Sequence, residues 1–314
     1  MQDSTLTSIG IDFGGTSVKL GVCRGGELLC TDEPIPTADF VGPEALISEM
    51  ARRASLMRKS YPDIMSIGVG VPGLVDFERG YVHELTNVPG WKQVALKTIL
   101  SEKTGLPTLV ENDANAMAYA EFRYGAARGL KNVVALTMGT GIGGGLVLDE
   151  KMYRGSVFAA GEIGQMSIDY AGKAGHYGNL GALEKYTGNQ QIAEHAVQRY
   201  ADAGITKNIA DCTPKDIATA AEAGDDIARL IWGEIAEWLG TAISSIAWLL
   251  NPDAFVIGGG VAQAGDLIFT PLKRKVQSML SSVVWEHLQI VPAKFSNEAG
   301  IIGNAALAAD EFGG

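Results

Sequence analysis

Cysteine is scarce: Cys23, Cys30 and Cys212 are the only three in 314 residues, and none has the spacing of a metal site or redox pair. So few thiols exclude a disulfide scaffold and predict reduced cysteines in a cytoplasm. The four histidines, His83, His176, His195 and His287, likewise show no paired ligand spacing. Basic residues are in deficit, with 25 Lys and Arg against 36 Asp and Glu and a formal charge of −11. Nucleic acid needs a concentrated basic surface and is not an expected partner. The most apolar stretch, 242–250, is broken by Ser244 and Ser245 and falls far short of the roughly 20 residues a membrane span requires. No basic segment followed by an apolar one opens the sequence, so neither a signal peptide nor a membrane partner is expected. A G-x-x-x-x-G-K-[ST] loop and a G-x-S-x-G elbow are both missing, which removes two common routes to phosphate and acyl chemistry.

Glycine is what the chain has in excess. Forty glycines are well above the roughly 7% of average chains, and they gather in turns without a period. The apolar fraction of 46% and charged fraction of 19% are those of a globular protein, long enough for two cores. Alternation and turn signals predict strands over 7–12, 18–23 and 27–31, with a Gly14-Gly15 hairpin between the first two. Helical spacing predicts helices over 43–60 and 91–103, with a buried strand over 66–71 between them. The second half restarts the pattern, with strands over 132–138 and 144–148 flanking a glycine turn, a weak internal duplication. Helices are expected over 183–203, 214–223, 225–250 and 297–309, and a short strand over 254–257. The apolar helix 225–250 suits a core element or an oligomer interface.

Three constellations carry chemistry. Asp12-Phe13-Gly14-Gly15-Thr16-Ser17-Val18-Lys19 offers exposed N–H groups on a hairpin turn that phosphate can approach. Asp12 would hold Mg²⁺ through water, while Thr16 and Lys19 supply a hydroxyl and a positive charge. Gly139, Gly141 and Gly144 match G-x-G-x-x-G, but a dinucleotide fold needs a helix at that turn, whereas here a strand follows. The turn suits a second phosphate clamp. Glu111-Asn112-Asp113 stands where a strand turns into a helix, and Asp113 there is either an ordinary N-cap or a base. Backbone N–H groups at such a position are expected to keep its carboxylate ionised and only weakly basic.

Further segments complete a pattern: Val71-Pro72-Gly73, Glu111-Asn112-Asp113-Ala114-Asn115-Ala116, Gly161-Glu162-Ile163-Gly164, Gly181-Ala182-Leu183-Glu184 and Ile257-Gly258-Gly259-Gly260-Val261. With the two glycine turns, these segments make the chain resemble, over nearly its whole length, the ROK family of sugar kinases. The resemblance implies an α/β, two-lobed, actin-like ATPase (ribonuclease H-like) fold with its site in the cleft. The small lobe would comprise 1–111 and the closing helix 300–314, and the large lobe 112–299. It implies Asp113 as general base, and Asn112, Glu162 and Glu184 as sugar ligands, with Gly73 and Asn87 in the same pocket. ATP would be held by Asp12, Gly14, Gly15, Thr16 and Lys19, by Thr140, Gly141 and Gly143, and by Gly258, Gly259 and Gly260. The implied reaction is phosphorylation of the 6-hydroxyl of a hexose, foremost glucose, by a homodimer. Fructose, mannose or an N-acetylhexosamine as acceptor, polyphosphate as donor, and a non-catalytic sugar sensor are the alternatives.

One departure stands out. The family's zinc site uses a histidine where this chain has Gln165, and cysteines where it has Gly175, Tyr177 and Ala182. No soft ligand remains, so no structural zinc is expected. Packing through Tyr177 and Tyr186 is expected to order that loop instead. Gln165, as a sugar-pocket position, leaves the identity of the sugar open.

Overall fold

The computed structural model describes residues 5–85 and 88–313. Its first half runs β1 (Thr7–Phe13), β2 (Ser17–Arg24), β3 (Glu27–Thr31), β4 (Ile35–Pro36), α1 (Pro43–Ser60), β5 (Ile64–Val71), β6 (Val75–Asp76), β7 (Tyr81–Glu84), β8 (Lys92–Val94), α2 (Leu96–Thr104), β9 (Thr108–Asn112) and α3 (Asp113–Tyr124). The second half runs β10 (Val133–Met138), β11 (Ile142–Leu148), β12 (Lys151–Tyr153), α4 (Glu184–Thr187), α5 (Asn189–Asp202), α6 (Pro214–Glu222), α7 (Asp226–Leu250), β13 (Ala254–Gly258), α8 (Asp266–Met279), α9 (Ser282–Trp285), β14 (Gln289–Pro292) and α10 (Ala299–Phe312).

Two main sheets share one plan. The first is ordered β3-β2-β1-β5-β9 and the second β12-β11-β10-β13-β14. In each, two antiparallel pairs at one edge give way to two parallel pairs. Parallel neighbours need a crossover. Helix α1 joins β1–β3 to β5 and α2 precedes β9, burying Leu46, Ile47, Met50 and Leu100 against Ile9, Ile11 and Val69. The duplication that the sequence suggests only faintly is explicit in the strand order.

Helix α10 lies between the sheets, and glycine makes that approach possible. A Cβ at Gly10 would sit 1.8 Å from the Ile301 carbonyl oxygen, and one at Gly68 would sit 1.9 Å from that of Asn304. On the other face of α10, a Cβ at Gly303 would meet the Ala116 carbonyl oxygen at 1.8 Å. Backbone packs on backbone here, so much of the glycine excess serves packing rather than phosphate.

Two expected helices are cut short. Over 91–103, Val94 pairs with Val82 and Gln93 takes a positive φ of 54°, so this part is strand β8 and the helix starts at Leu96. Over 183–203 the helix breaks at Gly188, whose extended backbone (φ −72°, ψ 155°) caps α5. That break seats Asn189, whose N–H donates to the Gly139 carbonyl at 2.9 Å. Helix α8 carries Pro271 inside it and, like β14, has no counterpart among the expected elements.

Candidate active site

A cleft of about 1080 Å³ opens between the two sheets. Its floor is the junction of β9 and α3. Asn112, not Asp113, is the N-cap: its Oδ1 accepts from the N–H groups of Ala114 (2.9 Å) and Asn115 (3.2 Å). Its Nδ2 donates to the Gly73 carbonyl at 3.1 Å, which ties the turn to the segment after β5. Asp113 is the first helical residue, and its Oδ1 accepts from the Ala114 N–H at 2.9 Å. The capping role therefore falls to the neighbour, leaving the Asp113 carboxylate directed at the cleft.

Electrostatics at this carboxylate run against the sequence-based expectation. Burial pushes Asp113 from the usual 3.8 up to about 6, with Asp12 and Glu162 adding like charge and the Ala114 N–H only partly offsetting them. Desolvation outweighs the helix N-terminus. The result is a stronger base than an N–H-stabilised carboxylate would be.

Around the floor stand the other expected sugar ligands. Glu162, Gln165, Glu184 and Gly73 all line the cleft. Glu162 is shifted upward by burial and by Glu184. Glu184 heads α4 and accepts from the Ile142 N–H at 2.9 Å, with His176 Nε2 3.4 Å from its other oxygen. The Gln165 Oε1 is buried with no partner among the described residues. Asn87 lies outside the described residues.

The glycine turns form the other walls. Gly15, Thr16, Thr140, Gly141, Gly143 and Gly259 line the cleft. Gly143 is already inside β11, where a Cβ would meet Thr137 Oγ1 at 2.8 Å and Ala114 Cβ at 2.9 Å, so packing accounts for that glycine. Gly14 closes the first hairpin turn by donating to the Ser17 carbonyl at 2.9 Å. Asp12, Gly14, Lys19, Gly258 and Gly260 are not among the cleft-lining residues. Asp12 and Lys19 face each other across the β1–β2 pair, and Asp12 is shifted upward by burial against the pull of Lys19.

Some contacts escape sequence reasoning. Thr37 donates its hydroxyl to the Gly15 carbonyl at 2.9 Å and its N–H to the Thr16 carbonyl at 3.0 Å, fastening the first turn from 21 residues away. Arg154 donates its Nε–H to Glu111 from 43 residues away, and its guanidinium lies over the Phe77 ring. No local signal announces such partners.

The loop without zinc ligands is held by hydrogen bonds. Ser167 and Ala174 form single bridges with Ala182 and Leu180. Asn179 Nδ2 donates to the Gln165 carbonyl at 2.8 Å, and the Lys173 N–H donates to the Tyr186 hydroxyl at 3.0 Å. Tyr186 is buried in this arrangement, but Tyr177 is 83% exposed and orders nothing, because its ring points into solvent at the rim.

Two like sheets closing on one cleft define the two-lobed actin-like ATPase fold. A sequence model of the ROK family matches residues 8–311, and the chain belongs to that family. A glucokinase of Halalkalibacterium halodurans is 35% identical over 311 residues, covering 95% of this chain and 94% of its own. The crystal structure of a ROK family glucokinase from Streptomyces griseus in complex with glucose and AMPPNP is 31% identical, with a TM-score of 0.79 over 97% of this chain and 99% of that one. A ROK family transcriptional regulator homologous to the E. coli MLC protein aligns with a TM-score of 0.87 at 27% identity, over 99% of this chain and 80% of its own. One fold thus serves both catalysis and regulation, and the site must decide between them.

Proposed function

We propose that the protein is an ATP-dependent hexose kinase that phosphorylates the 6-hydroxyl of glucose. The observation that carries this reading is Asp113: a carboxylate at the cleft floor, raised to about 6, between hydroxyl-binding side chains and glycine turns. A sugar alcohol is a poor nucleophile, and a base within reach of its proton assists as the new O–P bond forms. The 6-hydroxyl oxygen attacks the γ-phosphorus, the bond to the bridging oxygen breaks, ADP leaves, and the proton passes to Asp113. Glu162, Glu184, Asn112 and Gln165 would hold the other hydroxyls and turn the acceptor toward the phosphate. N–H groups of the turns at Gly15-Thr16 and Thr140-Gly141 would surround the phosphates.

Magnesium fits the donor set. This ion usually keeps several waters beside substrate phosphates, and Asp12, on the strand leading into the first turn, would hold it through water. When bound, the ion would neutralise charge on the phosphates. Homodimer formation through α7 and residence in a reducing cytoplasm belong to the same proposal. Leu230, Trp248 and Leu249 are exposed on α7, and the three cysteines are free.

The test is a coupled ADP assay with glucose, fructose, mannose and N-acetylated hexosamines, with ATP and polyphosphate as donors. Glucose with ATP is expected to give the highest kcat/KM. Asp113→Asn is expected to lower turnover by about 10³-fold or more while glucose binding survives. ADP release with no sugar on the panel, or near-normal turnover of the variant, would overturn the reading.

A further inference from the structure

Glu111 opens the motif at the cleft floor, yet the proposed reaction leaves it unused. It is 2% exposed. One oxygen, Oε1, accepts from the Asn112 N–H at 2.9 Å and from the Asn115 Nδ2 at 3.0 Å. A single atom therefore fastens both sides of Asp113. The other oxygen, Oε2, accepts from Arg154 Nε at 2.7 Å. Arg154 follows β12, on the opposite sheet, and its carbonyl accepts from the Ala160 N–H at 3.0 Å, which starts the loop leading to Glu162 and Gln165. The Arg154 guanidinium carbon lies 3.7 Å from the ring centroid of Phe77, between β6 and β7. Phe77 in turn meets Phe158 with ring centroids 6.3 Å apart.

We propose that Arg154 is a positioning residue. Pinned between Glu111 and Phe77, it braces the turn carrying Asn112 and Asp113 against the loop carrying Glu162 and Gln165, and so sets affinity for the sugar. Three segments meet at Arg154: the base's turn and the small β6–β7 hairpin at its guanidinium, and the sugar loop at its carbonyl. A buried carboxylate requires a paired charge, and removing its cation leaves it unmatched. Only arginine offers both the Nε–H donor and a flat face for the Phe77 ring, so lysine is a partial substitute. Neither Arg154 nor Phe77 lines the cleft beside the glycine turns, so nucleotide binding should not depend on them.

The inference rests on the kinase reading, and the test separates the two. Steady-state kinetics and amide hydrogen exchange are measured on the full-length wild type, Arg154→Ala, Arg154→Lys and Phe77→Leu. Arg154→Ala is expected to raise the sugar KM at least tenfold with the ATP KM within twofold of wild type. Arg154→Lys should recover at least half of that loss on a logarithmic scale, and Phe77→Leu should raise the sugar KM about threefold. In the ligand-free protein, amides over 112–116 should exchange at least tenfold faster in Arg154→Ala and stay near wild type in Arg154→Lys. A sugar KM within twofold of wild type in Arg154→Ala, or equal losses for sugar and ATP, overturns the brace. If Arg154→Ala does not fold, Phe77→Leu decides by the same two measurements. A wild type that phosphorylates no sugar overturns the kinase reading, and exchange over 112–116 then decides the brace.

Discussion

Asp113 and Asn112 divide between them what one residue was expected to do. Asn112 caps α3 through its Oδ1 and ties the turn to Gly73 through its Nδ2, which leaves the Asp113 carboxylate free of the capping role in a largely desolvated setting. A raised value of about 6 has two consequences of opposite benefit. For activity, the base must be unprotonated, so kcat/KM should fall as pH drops through about 6, tenfold per unit well below it. For stability, the folded chain holds this proton more tightly than the unfolded one, so Asp113 lowers stability progressively as pH rises from about 4 to 6, and by a constant amount above. Asp113→Asn should therefore raise stability at pH 7.5 by no more than about 3 kcal/mol, with no gain at pH 4. Urea titrations at the two pH values check this, and a variant stabilised equally at both would contradict it. Of this site, the motif residues were legible in the sequence because they are neighbours along the chain. The sign of the shift at Asp113 was not, since burial is contributed by residues from both halves of the chain.

Among the elements, α10 and the loop before α4 show what local pattern can and cannot say. An apolar helix near 297–309 was evident from its spacing, but not that it would lie backbone to backbone against α3 and the first sheet. At Gly303 the obstructing atom is the Ala116 carbonyl, which has no rotamer to escape into. Gly303→Ala is accordingly expected to cost about 3 kcal/mol or more, read as a lowered urea midpoint at unchanged slope. The loop 166–183 makes the contrary point. Its residues forbid the family's zinc by chemistry alone, and hydrogen bonds to Asn179 and Tyr186 occupy the loop where the metal would act. Zinc chelation should leave Tm unchanged, and elemental analysis should find no stoichiometric zinc. Tyr186→Phe should cost about 1 kcal/mol and speed proteolysis within the loop. Zinc at one per chain would overturn this account. The breaks at Gly188 and Gln93 were missed because the sequence around each is helical in spacing, and only contacts with Thr140 and Val82 override it.

For the whole molecule, the repeated sheet plan creates the cleft: each half presents a glycine hairpin, and the hairpins line opposite walls. Outward-facing Trp248 and Leu249 on α7, 57% and 79% exposed, give the dimer proposal its test. Sedimentation should give twice the chain mass for wild type and a monomer for Leu249→Lys, while a monomeric wild type would dismiss it. Composition, the glycine turns and the Glu111-Asn112-Asp113 motif were enough to specify an acidic, two-lobed phosphotransfer protein. Those properties depend on residue types and short spacings, which a linear chain carries openly. Which residue caps α3, how basic Asp113 becomes, which glycines serve packing and how Arg154 meets Glu111 and Phe77 were decided only on folding. Each of these depends on desolvation or on contacts between distant segments, and neither exists until the two sheets have closed around α10.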